Sequence, residues 1–220
     1  MLFVKDQDPL FYHNIQKLGD KVFGTEPIQV SQMIDGAYLI PHPTNTKELK
    51  LFKPSKSNHL AVVYNPYDKN LYHTTLMTQR LKDEFKLRAK LLNYIRPNKL
   101  EGYYRNYYDS MVGLIPFKEW IMEICTSKFG YMPHLFHSYN RAGVEFASIG
   151  IPVVGSDRSY SLQICYPDLI CNPLDFKKTR ELFSKLKNEN FSEEISKKAK
   201  ENAEYFNYEN SKKRFMEMIE

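Results

Sequence analysis

Pro133-His134-Leu135-Phe136-His137-Ser138-Tyr139-Asn140-Arg141-Ala142-Gly143-Val144-Glu145-Phe146-Ala147-Ser148-Ile149-Gly150-Ile151-Pro152-Val153-Val154 is the stretch whose reading decides the fold. It reads as a strand at 134–137, a polar turn, a helix carrying one glutamate, a glycine stop and a buried strand. A strand that feeds a helix through small and polar residues leaves backbone N–H groups free at the helix start. Those groups, with the positive end of the helix dipole, favour a phosphate or another anion. Glu145 falls about one helical turn beyond that start. An acidic side chain there suits a hydroxyl-rich partner such as a ribose or hexose. An ordinary βαβ unit with a surface glutamate fits the same geometry equally well.

Outward from this unit, short apolar runs alternate with amphipathic stretches. The runs fall at 60–64, 90–95, 111–116, 134–137, 151–155 and 168–171. Between them, Phe117, Trp120, Ile121, Ile124 and Cys125 recur at helical spacing, as do Phe176, Thr179, Leu182, Phe183 and Leu186. Strands separated by crossover helices predict a doubly wound, mostly parallel sheet of about six strands with both faces covered, an α/β Rossmann-like fold.

The two ends of the chain read differently. From 192 onward two helical patterns follow one another without a strand, broken near Phe206-Asn207-Tyr208. Ser192, with Glu193 and Glu194 behind it, predicts the start of the first. Lys197, Lys198, Lys200, Lys212, Lys213 and Arg214 make a basic face, which reads as solvated and leaves a membrane or nucleic-acid contact as the lesser alternative. At the other end, 10–18 suits a short helix, and 28–30 and 37–40 suit strands. Residues 53–58 have linker composition. The expected division is therefore a short N-terminal segment, 1–55, and a main domain, 59–220. Too few elements lie in the first segment to bury a core alone, so it is expected to pack on the main domain or on a partner.

Composition narrows the class. The 220 residues carry a formal charge of +5, mild enough to suit an anionic ligand without requiring nucleic acid. Cys125, Cys165 and Cys171 have no metal-ligand or redox spacing and read as buried thiols of a cytosolic chain. No apolar run approaches the ~18–20 residues of a membrane span, and no signal peptide follows Met1. A cytoplasmic location is expected, with peripheral membrane contact left open by the lysines. GxxxxGK[ST], GxGxxG and GxSxG are all absent, which removes support for P-loop, standard dinucleotide and nucleophile-elbow chemistry.

In a doubly wound sheet, ligands bind beyond the carboxyl ends of the strands. That rule selects the loops 65–70, 96–99, 137–143 and 155–161. Lys69 in the first reads as a point charge for a diphosphate or as an exposed turn lysine. Arg96 and Asn98 in the second offer weaker contacts to a base or phosphate. The third gathers His137, Ser138, Asn140 and Arg141 around the helix start. His137 there is either a proton shuttle or hydroxyl ligand, or a structural histidine at a strand end. The fourth holds Ser156, Asp157, Arg158 and Ser159, which close over a ligand or cap a short helix.

Residues 145–154, Glu-Phe-Ala-Ser-Ile-Gly-Ile-Pro-Val-Val, resemble the E-A-x-A-x-G-x-P-V-V signature of retaining GT-B glycosyltransferases. Gly113-Leu114-Ile115-Pro116, Cys171-Asn172-Pro173-Leu174-Asp175 and Ala203-Glu204-Tyr205-Phe206-Asn207-Tyr208 are similar to further pieces of that family, in the same order. The resemblance runs over 59–220, the C-terminal nucleotide-sugar-binding half. It implies that Glu145 hydrogen-bonds a ribose, that the backbone of Arg141, Ala142, Gly143 and Val144 meets sugar or diphosphate, and that Lys69 is a phosphate lysine. Two positions depart from the family: Ser138 stands where a first glutamate is usual, and Tyr64 where an arginine is.

The expected function is a glycosyltransferase that moves a sugar from a nucleotide-diphospho-sugar donor to an acceptor hydroxyl with retention. The alternatives are a non-catalytic sugar-nucleotide-binding or docking subunit and, less favoured, a nucleic-acid-binding protein. Candidate catalytic residues are Glu145 and His137. Candidate substrate-binding residues are Lys69, Arg96, Ser138, Asn140, Arg141, Ala142, Gly143 and Glu145. No metal or other cofactor is expected. The shortened N-terminal region leaves room for a homodimer or a partner subunit to supply the acceptor site.

Overall fold

The computed structural model describes residues 23–25, 27, 38–55, 57–63, 71–92 and 105–220. The chain forms two compact units. One is Thr46–Glu204; the other joins Met1–Asn45 with Tyr205–Glu220.

The first unit holds a six-stranded sheet built from β3 (His59–Val63), β4 (Arg88–Leu92), β5 (Ser110–Met111), β6 (Phe129–Met132), β7 (Val153–Ser156) and β8 (Ile170–Cys171). Their order is β5-β4-β3-β6-β7-β8, and every pairing is parallel. The helices are α1 (Thr46–Leu49), α2 (Leu71–Phe85), α3 (Phe117–Cys125), α4 (Arg141–Ile149), α5 (Tyr160–Cys165), α6 (Phe176–Lys185) and α7 (Glu189–Asn202). Every residue of β6 and β7 is buried, as is all of β3 beyond His59. Burial on both faces is the condition under which parallel strands lose the apolar–polar alternation of exposed sheets. The expected α/β Rossmann-like architecture is present.

Strand order reverses between β3 and β6. The gap beyond their carboxyl ends is the crevice where doubly wound sheets take ligands. The chain leaving β6 and the start of α4 lie at this point.

Two expected strands move. The run at 134–137 is not a strand; β6 sits earlier, at Phe129–Met132. Gly130 disguised it, because glycine reads as a strand breaker. A Cβ at Gly130 would come within 2.8 Å of Val153 Cγ2 and 2.9 Å of the Phe146 ring, so close packing of α4 on the sheet excludes a side chain there. Pro133, with no N–H to donate, then stops the ladder. The expected strand at 111–116 shrinks to Ser110–Met111, because the chain turns towards Pro116 and α3.

The expected helices at 117–125 and 176–186 both form. Asp175 caps α6 by accepting from the Lys178 N–H at 2.8 Å, an interaction of about 1 kcal/mol. The helix expected to start at Ser192 starts earlier. Asn188 accepts from the Phe191 N–H and opens α7 at Glu189, because its amide oxygen outcompetes a serine already one turn inside. Within α4, Gly150 (φ 91°) takes the left-handed conformation that ends the helix. Its N–H and that of Ile151 return to the Ala147 and Phe146 carbonyls.

In the second unit β1 (Phe23–Gly24) pairs in parallel with β2 (Tyr38–Leu39), and α8 spans Tyr208–Ile219 with Asn207 as its cap. Thr44 bridges Asn207, and its N–H donates to the Phe206 carbonyl. These bonds join the last residues to the first within one compact unit, whose N-terminal piece ends at Asn45. The linker-like residues are tied down instead: Ser55 donates twice to the Cys125 carbonyl, and Ser57 donates to the Thr126 carbonyl. The readings for 10–18 and 28–30 lie outside the described residues.

The six basic residues expected to share one face are divided between α7 and α8, which belong to different units. Lys198 pairs with Glu194 and Lys213 with Glu217, and Arg214 donates to the Tyr205 carbonyl while lying over its ring. All three cysteines are buried free thiols. No described helix is long and apolar enough to cross a membrane.

Candidate donor-binding site

After Pro133 the chain crosses the carboxyl ends of the central strands. His134 is fully buried, and burial pushes its imidazole down to about 4, so it is neutral near pH 7. The Arg158 guanidinium donates to the Leu135 carbonyl. Ser138 then pairs with Ser159 in a parallel bridge, its N–H donating to the Arg158 carbonyl while its own carbonyl accepts from Tyr160. The loops following β6 and β7 are thereby knit into one surface.

Asn140 begins α4 at φ 52°, a left-handed conformation asparagine adopts more readily than most residues. Its carbonyl accepts the Ser161 hydroxyl at 2.6 Å and the Gly143 N–H at 3.0 Å, and its amide reaches the Met132 sulfur at 3.3 Å. No described side chain caps α4. The helix start thus keeps amides without a side-chain cap, with the positive end of the helix behind them.

Glu145 follows one turn later, and it is not a surface residue: only 2% of it is exposed. The Trp120 indole N–H donates to Oε2 at 2.6 Å, and Arg141 Nε donates to Oε1 at 3.0 Å. Burial raises the carboxyl above the ordinary glutamate range, while the Trp120 hydrogen bond and the Arg141 charge pull in the opposite direction. A carboxylate offers about four acceptor positions, and two N–H donors leave the others for hydroxyl groups. Arg141 itself is 64% exposed along its side chain.

The remaining candidates are placed as follows. His137 is exposed, five residues past the end of β6, and no hydrogen bond or ion pair ties it to another described residue. The Ser138 and Ser159 hydroxyls are buried without a partner among the described residues. Ala142 lies in the first turn of α4. Gly143 faces α5, where a Cβ would come within 2.3 Å of Ser161 Oγ and 2.9 Å of Leu162 Cδ2, so the glycine lets the two helices meet. Lys69 and Arg96 lie outside the described residues, as does Tyr64. Among the described residues, no three His, Cys, Asp or Glu side chains gather to hold a metal ion.

Sequence reasoning missed Trp120. It was read only as part of the apolar stripe of α3. An indole N–H needs an acceptor wherever it is buried, but only the packing of α3 beside α4 shows that the acceptor is Glu145, 25 residues away.

Among solved structures, the chain is similar to sucrose-phosphate synthase from Thermosynechococcus elongatus, with a TM-score of 0.72, 18% identity and coverage of 91% of this chain. It is also similar to a UDP-forming α,α-trehalose-phosphate synthase from Burkholderia xenovorans (TM-score 0.71, 11% identity, 90% of this chain). A trehalose-6-phosphate synthase studied for glycosyl transfer with retention follows (TM-score 0.70, 12% identity, 90% of this chain). The chain spans 58%, 60% and 60% of these three proteins. It has the GT-B glycosyltransferase fold, and its share of its neighbours is consistent with a C-terminal half. No protein-family model matches the sequence, and no curated protein matches it either.

Proposed function

We propose that the chain binds a nucleotide-diphospho-sugar and transfers its sugar, with retention, to an acceptor hydroxyl. The observation that carries this reading is Glu145, a buried carboxylate with spare acceptor capacity, one turn inside a helix whose uncapped start lies at the switch point of the sheet. Vicinal ribose hydroxyls match such an acceptor, and a diphosphate matches the helix start. The neighbours include UDP-forming and retaining synthases, which supports the donor class and the stereochemistry. The reaction then needs neither a metal nor a protein nucleophile. Positive charge at the helix start and on Arg141 stabilises the departing diphosphate, which in turn assists the incoming hydroxyl.

Thermal stabilisation by UDP-, GDP- and ADP-sugars tests this reading. A cognate donor at a hundredfold excess over Kd is expected to add about 2.7 kcal/mol, several degrees in Tm. Glu145→Ala should abolish the shift, and slow donor hydrolysis should accompany binding. If saturating sugar nucleotides give neither stabilisation nor turnover, the reading fails.

A second reading, a donor-binding or docking subunit without transfer activity, is favoured by Ser138. Its backbone is locked in the bridge to Ser159 and its hydroxyl is buried, so it offers no acidic group to a sugar hydroxyl. Donor binding without turnover, with activity appearing only beside a co-purified partner, would select this reading.

A further inference from the structure

Glu145 has one anchored partner and one free to leave. Trp120 is carried by α3, whose Ile121, Ile124 and Cys125 are buried, so its indole is held from a fixed element. Arg141 is different. Its side chain is mostly exposed, and Glu145 is its sole polar partner among the described residues. It also lies in the first turn of α4, the end of the helix that favours an anion.

These facts set a problem for any hydroxyl-rich ligand that also carries a diphosphate. Two vicinal hydroxyls need acceptor positions on Glu145, and Trp120 keeps its place on Oε2. Oε1 is therefore the oxygen to be shared, and Arg141 stands on it. A guanidinium released from a carboxylate is matched by a diphosphate, which it can hold through two parallel N–H groups. Each charge keeps a partner throughout: carboxylate with guanidinium in the empty site, then carboxylate with hydroxyls and guanidinium with diphosphate.

We propose that Arg141 is an exchangeable partner, holding Glu145 in the empty site and passing to the donor diphosphate as the ribose hydroxyls replace it, while Trp120 keeps the carboxylate oriented. The inference rests on the nucleotide-sugar reading given above. Trp120 is then a positioning residue, and Arg141 couples recognition of the ribose to recognition of the diphosphate.

Trp120 is the single tryptophan of the chain, so its emission reports on this site. The full chain is titrated with UDP, GDP and ADP and with uridine, guanosine and adenosine. For the base that binds, Arg141→Ala is expected to strengthen the nucleoside several-fold and weaken the diphosphate about tenfold. Arg141→Gln keeps side-chain length without charge and should behave the same way, which guards against a folding artefact. Arg141→Lys should recover most of the diphosphate affinity. Trp120→Phe, followed by thermal shift, should weaken both ligand classes by a similar factor. If nucleotides bind but Arg141→Ala leaves the nucleoside unchanged or weaker, the donor reading stands and the exchange is overturned. If no nucleotide or sugar nucleotide binds the unaltered chain, the donor reading fails and the exchange fails with it.

Discussion

Lys90 and Glu145 are both buried charges served by the same helix, and they meet opposite fates. Lys90 projects from β4 with 4% of its side chain exposed. Its ammonium donates to the Glu123 carbonyl and the Thr126 hydroxyl, each at 2.6 Å, and to Glu123 Oε2 at 3.0 Å. Three donors meet three acceptors, and nothing is left over. Glu145 takes Trp120 from nearer the other end of α3 and Arg141 from its own helix, and it keeps unfilled acceptor positions. Burial drives both groups towards their neutral forms. A buried charge with every position filled reads as structural; one with capacity to spare, at the mouth of a crevice, reads as a binding group.

Breaking the filled cluster should have the largest effect on stability. Lys90→Ala takes the cation from the Thr126 hydroxyl and from a Glu123 carboxylate that is itself 37% exposed, and a loss of about 1–2 kcal/mol is expected by chemical denaturation. Nucleotide affinity should survive in the fraction that remains folded. A variant as stable as the parent would erase the contrast between the two clusters.

Glu145→Gln should give the opposite pattern. The folded chain takes up the Glu145 proton at a higher pH than the unfolded chain, which does so near 4.5. Between those two values the folded state binds more protons, so the Glu145 contribution to stability rises as pH falls through the raised pKa. Glutamine removes the charge at every pH. Its Tm should therefore match or exceed that of the parent at neutral pH, with the gap closing on acidification. Donor affinity should drop by about 2 kcal/mol at neutral pH, the scale of a hydrogen bond to a charged group. In the parent, affinity should fall with acid at a pH above the ordinary glutamate range. A lowered Tm with unchanged donor affinity would assign Glu145 to the structural class beside Lys90.

The smallest effect tests the frame of the site. Ser161→Ala removes the hydroxyl that holds the Asn140 carbonyl at the entrance to α4, and should cost about 1 kcal/mol. Donor affinity should decline modestly, because the first-turn amides lose one brace. Equal stability and affinity to the parent would show that the backbone bonds of the Ser138–Ser159 bridge suffice.

Residues whose meaning is periodic were legible without coordinates. The spacing of Phe117, Ile121 and Ile124, and of Phe176, Thr179 and Phe183, placed α3 and α6, because helical burial repeats along the chain. The unit from Asn140 to Val154 was legible as well, since a polar helix start and a glycine stop are local signals. β6 was not, because Gly130 looks like a breaker until Phe146 and Val153 are seen pressing on it. The partners of Glu145 were half hidden. Arg141 stands one turn away and could have been paired from spacing, but Trp120 lies 25 residues upstream, and only packing of α3 beside α4 brings it to the carboxylate.

The sequence by itself determined the alternation of strands and helices, a polar helix start within 137–141 and the presence of an acidic side chain about one turn beyond it. These follow from local backbone preferences and from the period of apolar residues. Tertiary structure alone decided that Glu145 is buried rather than on the surface, that Trp120 holds it, and that the loops after β6 and β7 form one surface. Burial and hydrogen bonding between distant segments depend on which elements the fold places side by side, and no spacing along one chain encodes that.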